Sequence, residues 1–260
     1  MSKFYKVAIV GSGNVAWHLA RALEDGGHYI TDVYSRRISA GRELAKQLYD
    51  TNVVDDLNMS NSQAEIFLLC ISDDALAEVA ANLVIPPYAV IAHTSGTLPL
   101  DLLEDHHQNI GIFYPLQTFT KGVAIDLKNV PICIEAKHRS SEKVLMNLGK
   151  SISKEVYNVH SDDRLILHIA AVFACNFTNH LLTISQEIME DHQIDSSLLH
   201  PLIVETINKA LSIGPADSQT GPAARNDHVT IKKHLKILRY RPEFRKIYKT
   251  ISEQIQDHYS

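Results

Sequence analysis

The sequence has few of the residues from which disulfide frameworks and metal sites are built. Its 260 residues include three cysteines, Cys70, Cys133 and Cys175, which lie far apart and form no CxxC pair. The 14 histidines form neither an HxxxH nor an HExxH pair. A disulfide-stapled scaffold and a zinc finger are therefore excluded, and we expect a reduced, cytoplasmic protein without a metal.

Long runs of one charge and long apolar runs are also missing. The net charge is −5 and no long basic block occurs, which argues against a nucleic-acid-binding surface. The longest uninterrupted apolar runs fall far short of the roughly 18 residues that span a bilayer. The first residues, "MSKFYKVAIVGSG", lack the cleavage pattern of a signal peptide. We expect neither a nucleic-acid partner nor a membrane partner.

Short β-branched runs alternate with amphipathic helical patterns in the first part of the chain, up to about residue 158. The predicted strands are 6–10, 28–35, 65–71, 88–93, 109–115, 130–136 and 155–159, and the predicted helices between them are 14–25, 39–48, 74–83 and 140–152. This alternation predicts an α/β fold with a doubly wound, mostly parallel sheet covered on both faces.

From residue 159 onward the pattern is entirely helical. The predicted helices there are 162–192, 196–211, 226–238 and 242–258. We therefore expect two domains, an α/β domain over residues 1–158 and an all-α domain over residues 159–260.

The loop after the first predicted strand carries the pattern G-x-G-x-x-A at Gly11, Gly13 and Ala16. Gly11 permits a tight turn, Gly13 lets a pyrophosphate approach the backbone, and Ala16 lets the helix pack close to the strand. The helix N-terminus then offers free N–H groups to the phosphates. This context predicts a Rossmann domain that binds a dinucleotide. The predicted phosphate-binding residues are Gly11, Ser12, Gly13, Asn14, Val15 and Ala16.

The end of the second predicted strand distinguishes NADP from NAD. Ser35, Arg36 and Arg37 follow that strand, and arginine suits a 2′-phosphate through its bidentate guanidinium. Asp32 is the alternative, because a carboxylate at the strand end would bind the ribose 2′-hydroxyl of NAD. Since "VYS" continues the strand pattern beyond Asp32, we favour a mid-strand Asp32 and an NADP cofactor.

Two more loops follow predicted strands at the edge where parallel sheets bind ligands. Ile71, Ser72 and Asp73 follow the 65–71 strand, and we expect them to line the cofactor crevice. We also expect Asp73 or Asp74 to cap the helix that follows. The "HTSG" segment from His93 to Gly96 follows the 88–93 strand, and we expect it to lie near the nicotinamide.

Together with "SRR", the motifs "HTSGTLPLDLL", "FYPLQTF", "HIAAVFACNFTNHL" and "TGPAARND" give the whole chain a resemblance to a known family. It resembles NADP oxidoreductases in which a Rossmann-like domain precedes a helical domain of unknown function. Related groups are the deazaflavin-dependent NADP oxidoreductases, the pyrroline-carboxylate reductases and the β-hydroxyacid dehydrogenases. The resemblance implies hydride transfer between NADP(H) and a small molecule, and a homodimer formed through the helical domain.

The resemblance assigns Ser95 and Gly96 to the substrate loop but leaves the proton donor open. β-Hydroxyacid dehydrogenases have a lysine four residues before an asparagine on the first long helix of the second domain. Here Asn176 is present, but Val172 stands four residues before it and helix 162–192 contains no lysine. A catalytically silent regulatory protein that binds NADP is therefore the alternative function.

Reduction of a carbonyl or imine also needs a proton and groups that orient the substrate. Our candidates for the proton donor are His93 and His168, with Ser95 and Asn176 beside them as catalytic residues, because histidine titrates near neutral pH. Each histidine is equally open to a structural interpretation.

Four further residues are expected to position a small, anionic substrate. Gln117 is the first. The "TGPAAR" segment, similar to one in the pyrroline-carboxylate reductases, adds Thr220, Gly221 and Arg225. This segment joins two predicted helices, and Asn226 or Asp227 is expected to cap the second of them.

Overall fold

A single mostly parallel sheet organises the first part of the protein, whose computed structural model describes residues 3–259. Its strands are β1 Lys6–Val10, β2 Tyr29–Tyr34, β3 Asn52–Val54, β4 Ile66–Leu69, β5 Val90–His93, β6 Ile110–Pro115, β7 Ile132–Ala136 and β8 Val156–Asn158. Their order is β3-β2-β1-β4-β5-β6-β7-β8, and neighbours are parallel except for the antiparallel pair β6–β7. The strand order reverses between β1 and β4, which is where a Rossmann fold opens a ligand crevice.

The strands between the two edges of the sheet are buried on both faces, as the predicted doubly wound sheet requires. Four helices flank this sheet, namely α1 Asn14–Asp25, α2 Ile38–Ala45, α3 Asp73–Asn82 and α4 Arg139–Ile152. The alternating side chains of β1 separate the core, because Ile9 packs with Leu19 of α1 on one face and Val10 packs with Leu76 of α3 on the other. All of these side chains are fully buried. The two cores fix the carboxyl ends of the strands, where the candidate site lies.

The remaining helices differ from the predicted pattern at one place. They are α5 Ser161–Ala171, α6 Thr178–Asp191, α7 His200–Ile213, α8 His228–Ile237 and α9 Pro242–Tyr259. The helix predicted over 162–192 is present, but the π-helix Val172–Phe177 interrupts it between α5 and α6. The three-residue strand β3 was not predicted. As expected, Asp227 caps α8, because its side chain accepts a hydrogen bond from the Thr230 N–H.

The chain divides into two compact units, Met1–Cys175 and Asn176–Ser260. The start of α5 belongs to the first unit because Arg164 is bonded to Glu135 of β7. The predicted domain boundary at 158/159 thus lies before α5, whereas the compact units divide within the π-helix. The boundary between functional domains stays a prediction.

One helical stretch among the described residues is long and apolar enough to cross a membrane by length and composition. This stretch is Ser161–Asp191, which has 31 residues. It contains an 18-residue window whose mean hydropathy is 1.5, and no residue of that window is buried. Uninterrupted apolar runs do not reveal this stretch in the sequence, because uncharged polar residues such as Asn176 break a run while lowering the mean hydropathy only slightly.

Candidate dinucleotide and substrate site

The glycine loop after β1 has the geometry of a phosphate cradle. Gly11 has a φ of +119°, and a Cβ there would lie 2.2 Å from the carbonyl oxygen of Cys70, so only glycine fits. Gly13 caps α1 and has open space where a Cβ would stand, whereas Ala16 is fully buried against the core. The first turn of α1 contains no acidic residue. The N-terminus of α1 therefore presents its N–H groups and positive dipole end without a competing carboxylate.

The turn after β2 is joined to this cradle through two serines. The hydroxyls of Ser12 and Ser35 lie 2.8 Å apart, and Ser35 also donates to the backbone oxygen of Arg37 at 2.9 Å. Arg36 and Arg37 are both exposed at the same turn. Two cations thus stand at the strand end, at the position that selects between NAD and NADP.

Asp32 lies within β2 and is engaged elsewhere. Its backbone pairs with Ala8 and Asn52, and its carboxylate accepts hydrogen bonds from Thr31 at 2.8 Å and from Ser62 at 2.6 Å. It is a buried mid-strand residue, in line with the interpretation that favoured NADP.

The loop after β4 connects the cradle to the loop after β5. Ile71 is adjacent to the cradle, since its Cγ2 atom would lie 3.0 Å from a Cβ on Gly11. Ser72 is the N-cap of α3, and Asp73 belongs to its first turn, so the expectation that Asp73 or Asp74 caps this helix was wrong. Asp73 instead accepts a hydrogen bond from the Thr97 hydroxyl at 2.5 Å.

His93 and Ser95 are both occupied by bonds to the backbone. His93 is fully buried, its Nδ1 accepts from the Ser95 N–H at 3.2 Å, and its Nε2 lies 3.3 Å from the Pro99 oxygen. Burial, together with the charge of Arg164, lowers the pKa of His93 to about 4. The Ser95 hydroxyl accepts from the N–H groups of Thr97 and Leu98. These surroundings favour structural roles for the two side chains over the predicted catalytic ones.

A tyrosine and a histidine meet beside Gly96. The hydroxyl of Tyr114, at the end of β6, lies 3.1 Å from Nδ1 of His168 on α5. A Cβ on Gly96 would lie 2.6 Å from that Nδ1 and 2.9 Å from the Tyr114 ring. Burial is the main reason that the pKa of Tyr114 rises to about 12. We refer to Tyr114 and His168 as the tyrosine–histidine pair. Both members are only partly buried.

A buried cation holds the loop after β5 and the start of α5 together. Arg164 is fully buried and donates to Glu135 at 2.9 Å, to the Leu98 oxygen, and to the Ser161 hydroxyl at 3.3 Å. Among the described atoms its Nε has no hydrogen-bond partner. Burial alone would raise the pKa of Glu135, but hydrogen bonds from Ser161 and Arg164 and the Arg164 charge hold it below its ordinary value. Since α5 carries His168 one turn after Arg164, this anchor also fixes the histidine.

The remaining predicted substrate residues belong to other segments of the chain. Gln117 is exposed, and its side-chain oxygen accepts from the Thr118 N–H at 2.7 Å. The others lie in the second unit: Asn176 within the π-helix, and Thr220, Gly221 and Arg225 in the connection before α8. Thr220 and Arg225 are exposed, and Gly221 has a φ of +104°. Their assignment to the substrate stays a prediction.

Sequence reasoning missed Tyr114, Arg164 and Glu135. Tyr114 was within the quoted "FYPLQTF" motif, but nothing in a single sequence showed that it meets a histidine 54 positions later. In the sequence, Arg164 is one more charged residue on a helix that begins "SDDR".

Over residues 3–259, no group of three or more histidine, cysteine, aspartate or glutamate side chains is arranged to hold a metal.

Known proteins share both parts of this architecture. A Rossmann-like domain matches residues 2–113, and a domain of unknown function (DUF2520) matches residues 130–255. The putative NADP oxidoreductase from Bacteroides fragilis is 34% identical, with a TM-score of 0.92 and 98% of each chain covered. No curated protein matches.

More distant solved structures share the fold. A protein from Thermotoga maritima is 20% identical, with a TM-score of 0.70 over 97% of this chain and 98% of its own. A reductive aminase from Aspergillus terreus, in complex with NADPH and ethyl-5-oxohexanoate, is 12% identical, with a TM-score of 0.69 over 97% of this chain and 93% of its own. The identity to the Bacteroides protein, over nearly the full length of both chains, places this chain in that protein's family, in which a Rossmann-like domain is followed by the DUF2520 domain.

Proposed function

We propose that this protein is an NADP(H)-dependent oxidoreductase that transfers a hydride between the nicotinamide and a small substrate. The observation that carries the proposal is the open glycine cradle beside Ser35, Arg36 and Arg37, with Asp32 engaged within its strand. The family relationship to a Bacteroides NADP oxidoreductase supports the same activity.

The residues of the cradle fit both the pyrophosphate and the 2′-phosphate of NADP. The N–H groups at the start of α1 would bind the pyrophosphate, over the open space at Gly13. Ser35 is already oriented by Ser12, and the exposed guanidinium of Arg36 would bind the 2′-phosphate. When bound, NADPH supplies the hydride, and the protein supplies position, a proton and exclusion of water.

For the substrate we propose a small, anionic carbonyl or imine compound, or the hydroxy or amino compound formed from it. The exposed Arg225 beside the Thr220–Gly221 backbone is suited to a carboxylate. A carbonyl or imine acceptor is also consistent with the distant reductive aminase, which was solved with a keto ester. Arg225→Ala is expected to weaken substrate use while leaving NADPH affinity unchanged, and equal losses in both would refute this assignment.

Cofactor titrations test the first half of the proposal. Arg36→Ala removes a charge-assisted contact worth about 2 kcal/mol, so the Kd for NADPH should rise about 30-fold while the Kd for NADH stays constant. Arg139→Ala, an exposed arginine at the start of α4, is the matched control. A wild-type protein that binds NADH as tightly as NADPH would contradict the NADP assignment.

Turnover separates the enzyme from a silent regulatory protein. NADPH oxidation is followed at 340 nm with small keto acids, aldehydes and cyclic imines, and NADP⁺ reduction is followed with their reduced partners. Reduction of at least one acceptor is expected. If NADPH raises the melting temperature and no panel member is turned over, the regulatory function replaces the catalytic one.

We further propose that the helical unit pairs with a second copy of the chain. Its buried apolar side chains among the described residues are few: Ile184, Ala223, Ile231, Leu238 and Phe244. In contrast, Val204, Ile207 and Leu211 form an exposed stripe along α7, with Leu211 82% exposed. A helical unit of this size needs more apolar burial than it has alone, and a second copy would supply it.

The pairing has a direct measurement in solution. Light scattering should give twice the chain mass of 29.1 kDa, and Leu211→Glu should shift the protein toward the monomer. Lys209→Gln on the same helix is the control.

We also propose that the protein is cytoplasmic, so fractionation without detergent should leave it in the supernatant. Recovery in the membrane fraction would instead assign the apolar stretch Ser161–Asp191 to a bilayer.

A further inference from the structure

We propose that Tyr114 is the catalytic proton donor and that His168 positions it and restores its proton. The inference rests on the proposed oxidoreductase function and adds the residue that this function lacks. It stands on the placement of the tyrosine–histidine pair beside Gly96, at the carboxyl ends of β5 and β6. Ligands of parallel α/β sheets bind along this edge.

The contacts around the pair limit how it can act. Nδ1 of His168 lies 3.1 Å from the Tyr114 hydroxyl, so that nitrogen is occupied and cannot face a substrate at the same time. A phenol is both donor and acceptor. When Nδ1–H donates to the hydroxyl oxygen, the phenolic O–H is free to donate to a third group. Nε2 of His168 is the other donor position of the pair. Because the phenol is fixed on β6 at the strand ends beside Gly96, we assign the contact with the reacting oxygen or nitrogen to Tyr114.

The neighbouring groups keep the phenol neutral and in place. Burial outweighs the nearby positive charge of Arg164, and the raised pKa of Tyr114 leaves its proton bound at neutral pH. Gly96 allows the pair to approach the backbone, since any Cβ there would overlap both rings. Arg164, through Glu135 and the Leu98 oxygen, holds both the substrate loop and the helix that carries His168.

The predicted catalytic residues at the end of β5 and in the loop after it, His93 and Ser95, are both buried and bonded to backbone groups, whereas the tyrosine–histidine pair is partly accessible. Both nitrogens of His93 are within bonding distance of backbone groups, and this side chain is fully buried. The Ser95 hydroxyl accepts two backbone N–H groups and lies 3.3 Å from the Thr97 hydroxyl. Within the first unit, the tyrosine–histidine pair is a partly accessible donor with atoms that would lie within 3.0 Å of a Cβ on Gly96.

The proton step balances as follows in the direction of reduction. As the acceptor carbon gains a hydride, its π electrons move to the oxygen or nitrogen, and the Tyr114 O–H bond breaks as its proton passes to that atom. His168, when both of its ring nitrogens carry a proton, then transfers its Nδ1 proton to the phenolate and is left as the neutral ring with its proton on Nε2. Nδ1 takes a replacement proton from water before the next turnover. Each turnover thus consumes one hydride and one proton, and the reverse reaction runs through the same groups.

Acceptors that differ in their need for a proton test this assignment. A ketone or an imine needs a hydride and a proton, whereas an N-methyl iminium ion of similar skeleton needs only the hydride. With an acceptor that the wild-type protein reduces, Tyr114→Phe should lower kcat by about 100- to 1,000-fold for the proton-requiring member. The rate with the iminium ion should be unchanged. Tyr88→Phe, which alters an exposed tyrosine, is the control.

A second readout needs neither cofactor nor turnover. In the protein without NADPH, the ¹⁵N resonance of His168 Nδ1 should move when Tyr114 becomes Phe, and the His93 resonances should stay. His168→Gln should lower the rate with the ketone or imine and alter the shape of its pH profile. His106→Gln, at an exposed histidine, should alter neither.

Each result has a defined meaning. Wild-type turnover that Tyr114→Phe leaves intact overturns the donor assignment while the oxidoreductase function stands. An equal loss with the iminium ion also overturns it, because the tyrosine would then serve binding rather than proton transfer. An unmoved Nδ1 resonance refutes the pair itself. A wild-type protein that reduces no acceptor removes the oxidoreductase function, and the donor assignment with it.

Discussion

Replacing Arg164 by methionine should destabilise the sheet unit far more than removal of an exposed charge does. The guanidinium is fully buried and bonded to the Glu135 carboxylate, the Leu98 carbonyl and the Ser161 hydroxyl. Methionine fills a similar length without a charge, so the variant isolates the loss of the ion pair and its hydrogen bonds. Glu135, with its side chain 12% exposed, would keep a charge with fewer partners.

The size of the effect follows from what the carboxylate retains. Breaking a buried ion pair by removing one partner costs about 3–5 kcal/mol. Glu135 keeps its hydrogen bond from Ser161 at 2.6 Å, and His160 lies 3.6 Å away. Because these contacts and the small exposure lessen the penalty, we expect the low end, about 3 kcal/mol. The double variant Arg164→Met/Glu135→Leu should recover at least half of that loss, because no charge remains buried.

Urea unfolding followed by tryptophan fluorescence measures this loss in the relevant unit. The chain contains one tryptophan, Trp17, and it lies on α1 of the same unit. The pKa of Glu135 is depressed in the folded protein, so its contribution is complete above its unfolded value of about 4.3 and disappears as the pH falls through the lower, folded pKa. The difference in unfolding free energy between wild type and Arg164→Met should thus be complete at pH 7 and disappear in acid.

Arg139→Met, at an exposed position on α4, is the matched control and should change the unfolding free energy little. A cost below about 1 kcal/mol for Arg164→Met would refute the reasoning, since an exposed pair would give such a value. A double variant less stable than Arg164→Met would contradict the claim that the stranded carboxylate causes the loss.

Three glycines and one histidine give sharp expectations. Gly11→Ala forces a Cβ to 2.2 Å from a carbonyl oxygen at a φ of +119°, so the melting temperature should fall and NADPH binding should be lost. Gly13→Ala meets open space, so its melting temperature should be unchanged while fluorescence titration shows weaker NADPH binding, and normal binding would count against the cradle. Gly96→Ala should separate the tyrosine–histidine pair and lower turnover without weakening NADPH binding, which kinetics and titration distinguish. The imidazole of His93 should stay neutral down to about pH 5 in ring ¹⁵N spectra, and a midpoint near 6.5 would show that it is less enclosed than the structure has it.

The sheet domain was predictable because its signals are local. Gly11, Gly13 and Ala16 report one strand, one turn and one helix within a few residues, and the apolar runs mark most strands of a sheet buried on both faces. The strand β3 escaped because three residues carry too little pattern. The π-helix Val172–Phe177 escaped for a different reason: its extra residue per turn changes hydrogen bonding without changing composition.

The candidate site was predictable only where a single loop contains it. The cradle residues are contiguous in the sequence. In contrast, Tyr114 and His168 are 54 residues apart. Arg164 is 29 residues from Glu135 and 66 residues from Leu98, the two residues that it binds. Whether a charged side chain can be buried depends on the partners that the tertiary structure brings to it. The sequence could name His168 as one of two possible donors, but only the contacts of each ring distinguish an enclosed histidine from one paired with a tyrosine.

The spacing on α5 connects the absent lysine with the pair that we assign in its place. Positions 164, 168 and 172 follow one another at one helical turn and share one face of the helix. On this face Arg164 is bonded into the sheet unit and His168 meets Tyr114. The resemblance to the β-hydroxyacid dehydrogenases predicts a lysine at the third position, which is Val172 here. A lysine at 172 would be a direct donor on a flexible stem, whereas the histidine one turn earlier reaches a phenol fixed on β6. The proton source thus moves from the helix to the sheet, and a lysine introduced by Val172→Lys in the Tyr114→Phe background should restore part of the lost turnover if this replacement is the correct account.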